Sequence, residues 1–189
     1  MIKNKVKLTP IFLLAATVLF NSCAILKNCF AEDPEILLKT EFDKSTSVAV
    51  LDFSKHGSSI SSNMGRLAAD KLSEKMFLSD SFKTVERSRV NEAVSFLAIK
   101  STEELSADDI QKLGLRLKAN YLVLGNITNN SQTDYLTDKT ISSLLINFRI
   151  ISVLNSDVVG VINYSADYDG SLNDKMDDMM NKIVKKLNR

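Results

Sequence analysis

The sequence predicts an α/β fold: a single mixed β-sheet, parallel strands plus a C-terminal antiparallel hairpin, flanked by helices. Three observations predict it. A short valine-rich run, Ser47 to Phe53, has the unbroken hydrophobicity of a strand buried on both faces. Helical and strand-like periods then alternate along the chain, which implies parallel neighbours joined by right-handed crossovers. Two alternating runs near the C-terminus are separated only by Leu154 to Asp157, a natural tight connection.

The elements follow in order. After the first strand, Ser54 to Ser59 turns the chain and places His56 in a polar turn. Ile60, Met64, Leu67, Ala68, Leu72 and Met76 recur at helical spacing, with Ser58 or Ser59 as the N-cap. Ser81 to Arg87 reads as a second strand. Ser88 then caps a helix carrying Val90, Ala93, Val94, Leu97 and Ala98 on one stripe. Ser106 and Asp109 resemble a capping box that opens a third helix with Ile110, Leu113 and Leu117. Asn120 to Thr128 is a third strand, and Asn129 to Lys139 a polar segment after it. Leu144, Ile146, Phe148 and Ile150 alternate along one hairpin strand, and Val158, Ile162, Tyr164 and Tyr168 along the other. A final helix carries Leu172, Met176, Met179, Met180, Ile183, Val184 and Leu187 on one face. Asp174, Asp177 and Asp178 at its start and Lys182, Lys185 and Lys186 at its end suit the helix dipole. The methionine stripe is expected to be core packing rather than an adaptable binding surface.

The N-terminus differs from this body. Lys3, Lys5 and Lys7 precede an uncharged apolar run, Ile11 to Phe20, which has the length of a signal-peptide core and is short for a membrane span. Asn21 and Ser22 then lead into Cys23, a relaxed lipobox that makes Cys23 the expected lipidation site, with palmitate-type acyl chains as the anchor. Two other fates stay open: ordinary cleavage after Ala31, and retention of the segment as an anchor. The expected organisation is a lipoprotein signal peptide over 1–22, a lipidated tether over 23–46 and an α/β domain over 47–189. Within the tether, Ile36 to Leu38 is expected to dock on the body or to start a short helix. No cysteine follows Cys29, so the body holds no disulfide. Ala24 follows Cys23 where an aspartate would signal inner-membrane retention, so the expected destination is the periplasmic face of the outer membrane.

The 189 residues carry a formal net charge of +1, with 44% hydrophobic and 25% charged residues, which bounds the chain to one globular domain. Tryptophan is absent and basic residues do not interleave with aromatics, so nucleic acid is not an expected partner. His56 is the single histidine and makes no recognisable metal site. The turn His56 to Ser59 lacks the glycine spacing and lysine of a phosphate loop. Glu86 with Arg87 or Arg89 is expected to form a structural or intersubunit ion pair rather than an acid–base site. No nucleophile elbow or zinc-protease motif occurs. No catalytic, metal or cofactor residue is therefore expected, and no residue is singled out for partner binding.

The blocks VAVLDF, GRLAADKL, FKTVERSRVNEAV, LGLRLKANYLVLGNIT and FRIISVLNSDVVGVINYS, in that order, resemble the curli-secretion lipoprotein family, often called CsgG/HfaB. The resemblance spans about residues 47–168, and the order of the blocks together with Glu86-Arg87-Ser88-Arg89 gives it its specificity. The same core is similar to flagellar outer-membrane lipoproteins and to lipoproteins that activate a peptidoglycan synthase (penicillin-binding protein activators). The resemblance implies a non-enzymatic, lipid-anchored protein of the bacterial cell envelope. Its partners would be the membrane, through the N-terminal lipid, and envelope proteins or further copies of itself. Its work would be assembly or transport of envelope or surface structures. Channel-forming members carry extra membrane-spanning hairpins, each strand needing about 9 to 11 alternating residues. The polar segment Asn129 to Lys139 has no room for two, so a core-only protein is expected. A periplasmic small-ligand-binding module or hydrolase, and a subunit of a ring-forming outer-membrane channel, are the alternatives.

Overall fold

The computed structural model describes residues 33–40, 42, 45–56, 61, 63–134 and 139–188. Cys23, Cys29, the expected signal peptide and the expected caps Ser58 and Ser59 lie outside the described residues. Seven strands and four helices are described: β1 (Glu35–Leu38), β2 (Ser47–Val50), β3 (Ser54–His56), α1 (Met64–Leu78), β4 (Lys83–Thr84), α2 (Arg87–Phe96), α3 (Ala107–Leu117), β5 (Tyr121–Asp134), β6 (Lys139–Ser152), β7 (Val158–Tyr168) and α4 (Leu172–Leu187). The strands make one mixed sheet ordered β1-β7-β6-β5-β2-β4, with β3 also beside β5. β2 runs parallel to β4 and β5, as strands joined through helices must. β5, β6 and β7 are antiparallel, and the Leu154–Asp157 connection closes the expected hairpin.

Each face of the sheet has its own core. On one, Val48, Val50, Val123, Ile127, Leu144, Ile146, Phe148, Ile162 and Tyr164 lie beneath α1 and α4. On the other, Ala49, Leu51, Leu122, Leu124 and Ile151 lie beneath α2 and α3. The period-two alternation of β5, β6 and β7 feeds the first core with every second side chain. The methionines of α4 are core, as expected: Met176, Met179 and Met180 have no exposed surface. Helix starts follow local chemistry. Ser106 Oγ accepts the Asp109 N–H at 3.1 Å at the start of α3, and Ser171 does the same for Asp174 at the start of α4.

Of the two fates expected for Ile36 to Leu38, docking on the body is the one seen: the segment is part of β1, antiparallel to β7 with Ile36 opposite Ile162, and Ile36 packs on the core. The Lys186 ammonium holds the Pro34 carbonyl at 2.7 Å beside it. Several other local expectations are corrected. The strand expected over Ser81–Arg87 shrinks to Lys83–Thr84, because α2 begins at Arg87. Glu86, not Ser88, occupies the cap position of α2, and Ser88 donates instead to Glu86 Oε1 at 2.5 Å. Ala98, expected on the α2 stripe, lies past the helix end in the left-handed region at φ 53°. Asn63 stands at the start of α1. Most of Asn129–Lys139 is strand: β5 runs through Asp134 and β6 restarts at Lys139, in unbroken register. Backbone pairing needs no apolar side chains, and hydroxyl contacts tie the ribbon, Ser131 to Ser142 at 3.0 Å and Thr133 to Thr140 at 3.3 Å.

The seam between α1 and α4 carries a pH-sensitive contact. Lys75 and Lys71 reach the Asp177 carboxylate at 3.0 and 3.1 Å, and their hydrogen bonds hold its pKa below the ordinary carboxylate value of 3.8. The folded pKa is depressed, so the contact contributes fully above 3.8 and is lost as pH falls through the lowered folded value. The contribution is small, because Asp177 is about a third exposed. Thermal midpoints measured from about pH 5 to about pH 2 should fall less steeply in Asp177→Asn than in the parent chain. Equal slopes would remove Asp177 from the acid response.

Candidate functional site: a polar cleft on the open sheet face

α2 and α3 cover only one end of their face of the sheet. Beneath them the strands offer Leu122, Leu124 and Ile151, all buried. Farther along the same face the side chains turn polar. Cross-strand register places Asn126 of β5, Asn147 of β6, Asn163 of β7 and Glu35 of β1 in one row. Asn147 Nδ2 donates to Asn126 Oδ1 at 3.4 Å, so the row is partly self-bonded. A sheet face carrying such a row has no hydrophobic reason to bind a helix, which is why it stays open.

The connection between α2 and α3 forms the wall above this row. Three contacts hold it. Thr102 Oγ1 donates to the Asp52 carbonyl at 2.7 Å, Arg149 donates to the Glu103 carbonyl at 2.8 Å, and His56 Nε2 lies 2.9 Å from Glu103 Oε1. Between wall and sheet lies a cleft of about 400 Å³ whose lining includes Glu103, Glu104, Asn126, Asn147, Arg149 and Asn163. His56, read from sequence as a turn residue, thus sits on β3 and braces the wall through Glu103. Ser54, two residues before it, spends its hydroxyl on the Gly125 carbonyl at 3.3 Å.

The cleft can do a definite kind of chemistry. Its amides each offer two donors and one acceptor, its two glutamates accept, and Arg149 donates. That set hydrogen-bonds a polar surface or ligand in several orientations. Among the described residues no group of three or more His, Cys, Asp or Glu stands ready to hold a metal ion.

Among the described residues, and within this one chain, Glu86 pairs with neither Arg87 nor Arg89, and Arg87 finds other partners. Arg87, the first residue of α2, reaches inward to the end of β2. It donates to the Val50 carbonyl and the Asp52 carboxylate, and its Nε donates to Asp70 Oδ1 of α1 at 2.8 Å. The Arg87 side chain keeps 15% of its surface exposed. This pair is intramolecular and ties two helices from opposite faces to one strand end. Sequence reading missed the asparagine row. Its signal was present as amides at the polar phase of alternating strands, yet one strand alone does not reveal that three such residues align.

No protein-family model matches this sequence, and no curated protein matches it. Solved structures do. A PelC dodecamer from Paraburkholderia phytofirmans superposes with TM-score 0.53 at 12% identity, over 82% of this chain and 96% of that one. Lipoprotein GNA1162 from Neisseria meningitidis gives 0.52 at 12% identity, over 75% and 97%. The hypothetical protein CT253 from Chlamydia trachomatis gives 0.50 at 14% identity, over 76% and 93%. At these identities the likeness is one of fold. The mixed sheet with helices on both faces is therefore an arrangement that a bacterial lipoprotein also has.

Proposed function

We propose that this chain is a non-enzymatic, lipid-anchored protein of the bacterial cell envelope. Residues 1–22 act as a lipoprotein signal, Cys23 carries the acyl chains, and the α/β body works through protein contacts in assembling or transporting envelope or surface structures. The supporting observation is the conjunction of a charged, then apolar, then Ser22-Cys23 leader with a body folded like a lipoprotein. Ala24 after Cys23 favours outer-membrane delivery, and the CsgG/HfaB resemblance supplies the finer expectation of a role in surface-structure assembly. Among the described residues no helix is long and apolar enough to cross a membrane.

The anchor has a mechanical consequence. From Cys23 to Glu35 a fully extended chain gains about 3.3 to 3.6 Å per residue, so the body lies within roughly 40 Å of the lipid surface. Each buried methylene of the acyl chains contributes about 0.8 kcal/mol, and more than one chain is needed for stable anchoring. Lys186, by holding the Pro34 carbonyl, sets where the tether leaves the body.

Intact mass of the membrane-extracted protein tests the reading. A mature chain that begins at Cys23 and carries diacylglyceryl mass is the expected result, with Cys23→Ala losing both the mass and the membrane fraction. A chain that begins at Glu32 without added mass would replace it with a free periplasmic protein, for which ligand binding in the polar cleft becomes the leading role.

A further inference from the structure

We propose that the amide row of Asn126, Asn147 and Asn163 binds an uncharged glycan, an extended β-1,4-linked chain that lies across the strands. The inference goes beyond the anchored role above and stands whether or not Cys23 is acylated.

The spacing of the row selects the ligand. The three asparagines stand directly opposite one another on β5, β6 and β7, and Glu35 continues the row onto β1. Neighbouring strands lie about 4.8 Å apart, so the row offers a polar side chain at each such step over roughly 14 Å. One pyranose unit of a straight β-1,4-linked chain advances by nearly the same length. Successive sugars of such a chain therefore meet equivalent side chains. An extended peptide does not match, because its same-side groups recur only every ~6.4 to 6.8 Å. A helix would need an apolar surface to cover, which the amides deny it.

The chemistry of the row agrees with its spacing. A primary amide holds donors and an acceptor side by side, and neighbouring sugar hydroxyls each donate and accept, so one asparagine engages one sugar through paired hydrogen bonds. The bond from Asn147 Nδ2 to Asn126 Oδ1 measures 3.4 Å, longer than the usual range of about 2.7 to 3.2 Å, and yields readily to a ligand. Aliphatic side chains flank the amides on the same face. Val161 and Leu37 oppose each other on one side of the row, Leu37 being 64% exposed, and Leu145 lies on the other side, opposite Ser165. A pyranose has a hydroxyl rim and apolar C–H faces, and this surface offers a partner to each.

Charge separates an uncharged chain from an acidic one. Glu35 ends the row, and Glu103 and Glu104 stand on the cleft wall, against the guanidinium of Arg149, which is held on the Glu103 carbonyl. This excess of carboxylates repels a chain of uronic acids and leaves a neutral one unopposed. The cleft's volume of about 400 Å³ is within the range of small-molecule sites. Contacts of this kind are weak for one sugar and accumulate along a linked chain.

Titration of the isotope-labelled full chain in dodecylphosphocholine micelles tests the site, read from the side-chain amide resonances of the three asparagines. Cellohexaose should shift all three. Its affinity should exceed that of cellobiose, because the row is roughly three sugar units long. Maltohexaose has the same composition, but its α-1,4 linkages coil the chain, and it should bind about tenfold more weakly or not at all. Asn147→Ala and Asn163→Ala should each weaken cellohexaose about tenfold while the thermal midpoint holds. No shift with cellohexaose, an equal response to maltohexaose, or binding that survives both substitutions overturns the proposal. A response to hexalysine alone also overturns it and assigns the cleft to a basic peptide. Intact mass of the same sample reports acylation of Cys23, so the glycan site and the anchor are judged separately.

Discussion

Arg87→Ala lowers the thermal midpoint by roughly 5 to 10 °C, taking about 2 to 4 °C per kcal/mol for a domain of this size. The free energy behind it is about 2 to 3 kcal/mol. Hydrogen bonds to charged groups contribute about 1.5 to 3 kcal/mol each, and Arg87 makes three contacts, to Val50, Asp52 and Asp70. Two effects reduce the sum. The Asp52 and Asp70 side chains keep 42% and 47% of their surface, so water screens their share. Arg87 also opens α2, where a positive charge opposes the helix dipole and a carboxylate left behind is tolerated. What remains is the loss of a nearly buried guanidinium that joins α1, α2 and the end of β2. Arg87→Lys should recover less than half, because a single ammonium cannot span acceptors arranged around a planar fork. Thermal or urea unfolding of the three chains measures this. A midpoint within about 2 °C of the parent for Arg87→Ala would mean the cluster is ornamental.

Gly65→Ala is the second large effect, and its sign opposes helix propensity. In an exposed helix this change stabilises by about 1 kcal/mol. Here a β-carbon at residue 65 would sit 1.8 Å from the Phe53 carbonyl oxygen and 2.9 Å from its carbon. Both are backbone atoms, and the Gly65 carbonyl also accepts the Phe53 N–H at 3.2 Å. The helix start and the β2–β3 connection are thus in direct backbone contact, so no side chain can give way. Overpacking costs typically 1 to 3 kcal/mol and more where backbone must move, which leaves a net loss of about 2 kcal/mol or more after the propensity gain. Lifting the start of α1 would also disturb Phe53, whose ring packs on Phe148 at 5.9 Å between centroids. A destabilised chain with intact far-ultraviolet circular dichroism is expected. A stabilised one would show that α1 does not approach the Phe53 backbone this closely.

These two residues illustrate different limits of sequence reading. The signature Glu86-Arg87-Ser88-Arg89 stood out, and an ion pair was expected there. Its partners were not legible, because Asp52 and Asp70 lie 35 and 17 residues away from Arg87 in the chain. Gly65 gave no sign at all, since the helical stripe around it reads the same with alanine. The polar run after Thr128 misled for another reason. Alternation of apolar residues reports a buried face, and the β5–β6 ribbon beyond the core has none to report, so strand continued where the pattern stopped.

Periodicity alone carried the order of the principal elements, the parallel-plus-hairpin sheet and the methionine face of α4, because burial repeats every 2 residues in a strand and every 3.6 in a helix. The cap at Ser106 and the turn at Leu154–Asp157 were equally local, set by chemistry within four residues. The tertiary structure decided everything that depends on which strands become neighbours: the asparagine row, the wall held by His56, Glu103 and Arg149, and the strand β1. Each is a relation between side chains or backbones tens of residues apart, created only when cross-strand register brings them within hydrogen-bonding distance, and no periodicity along one segment encodes that register.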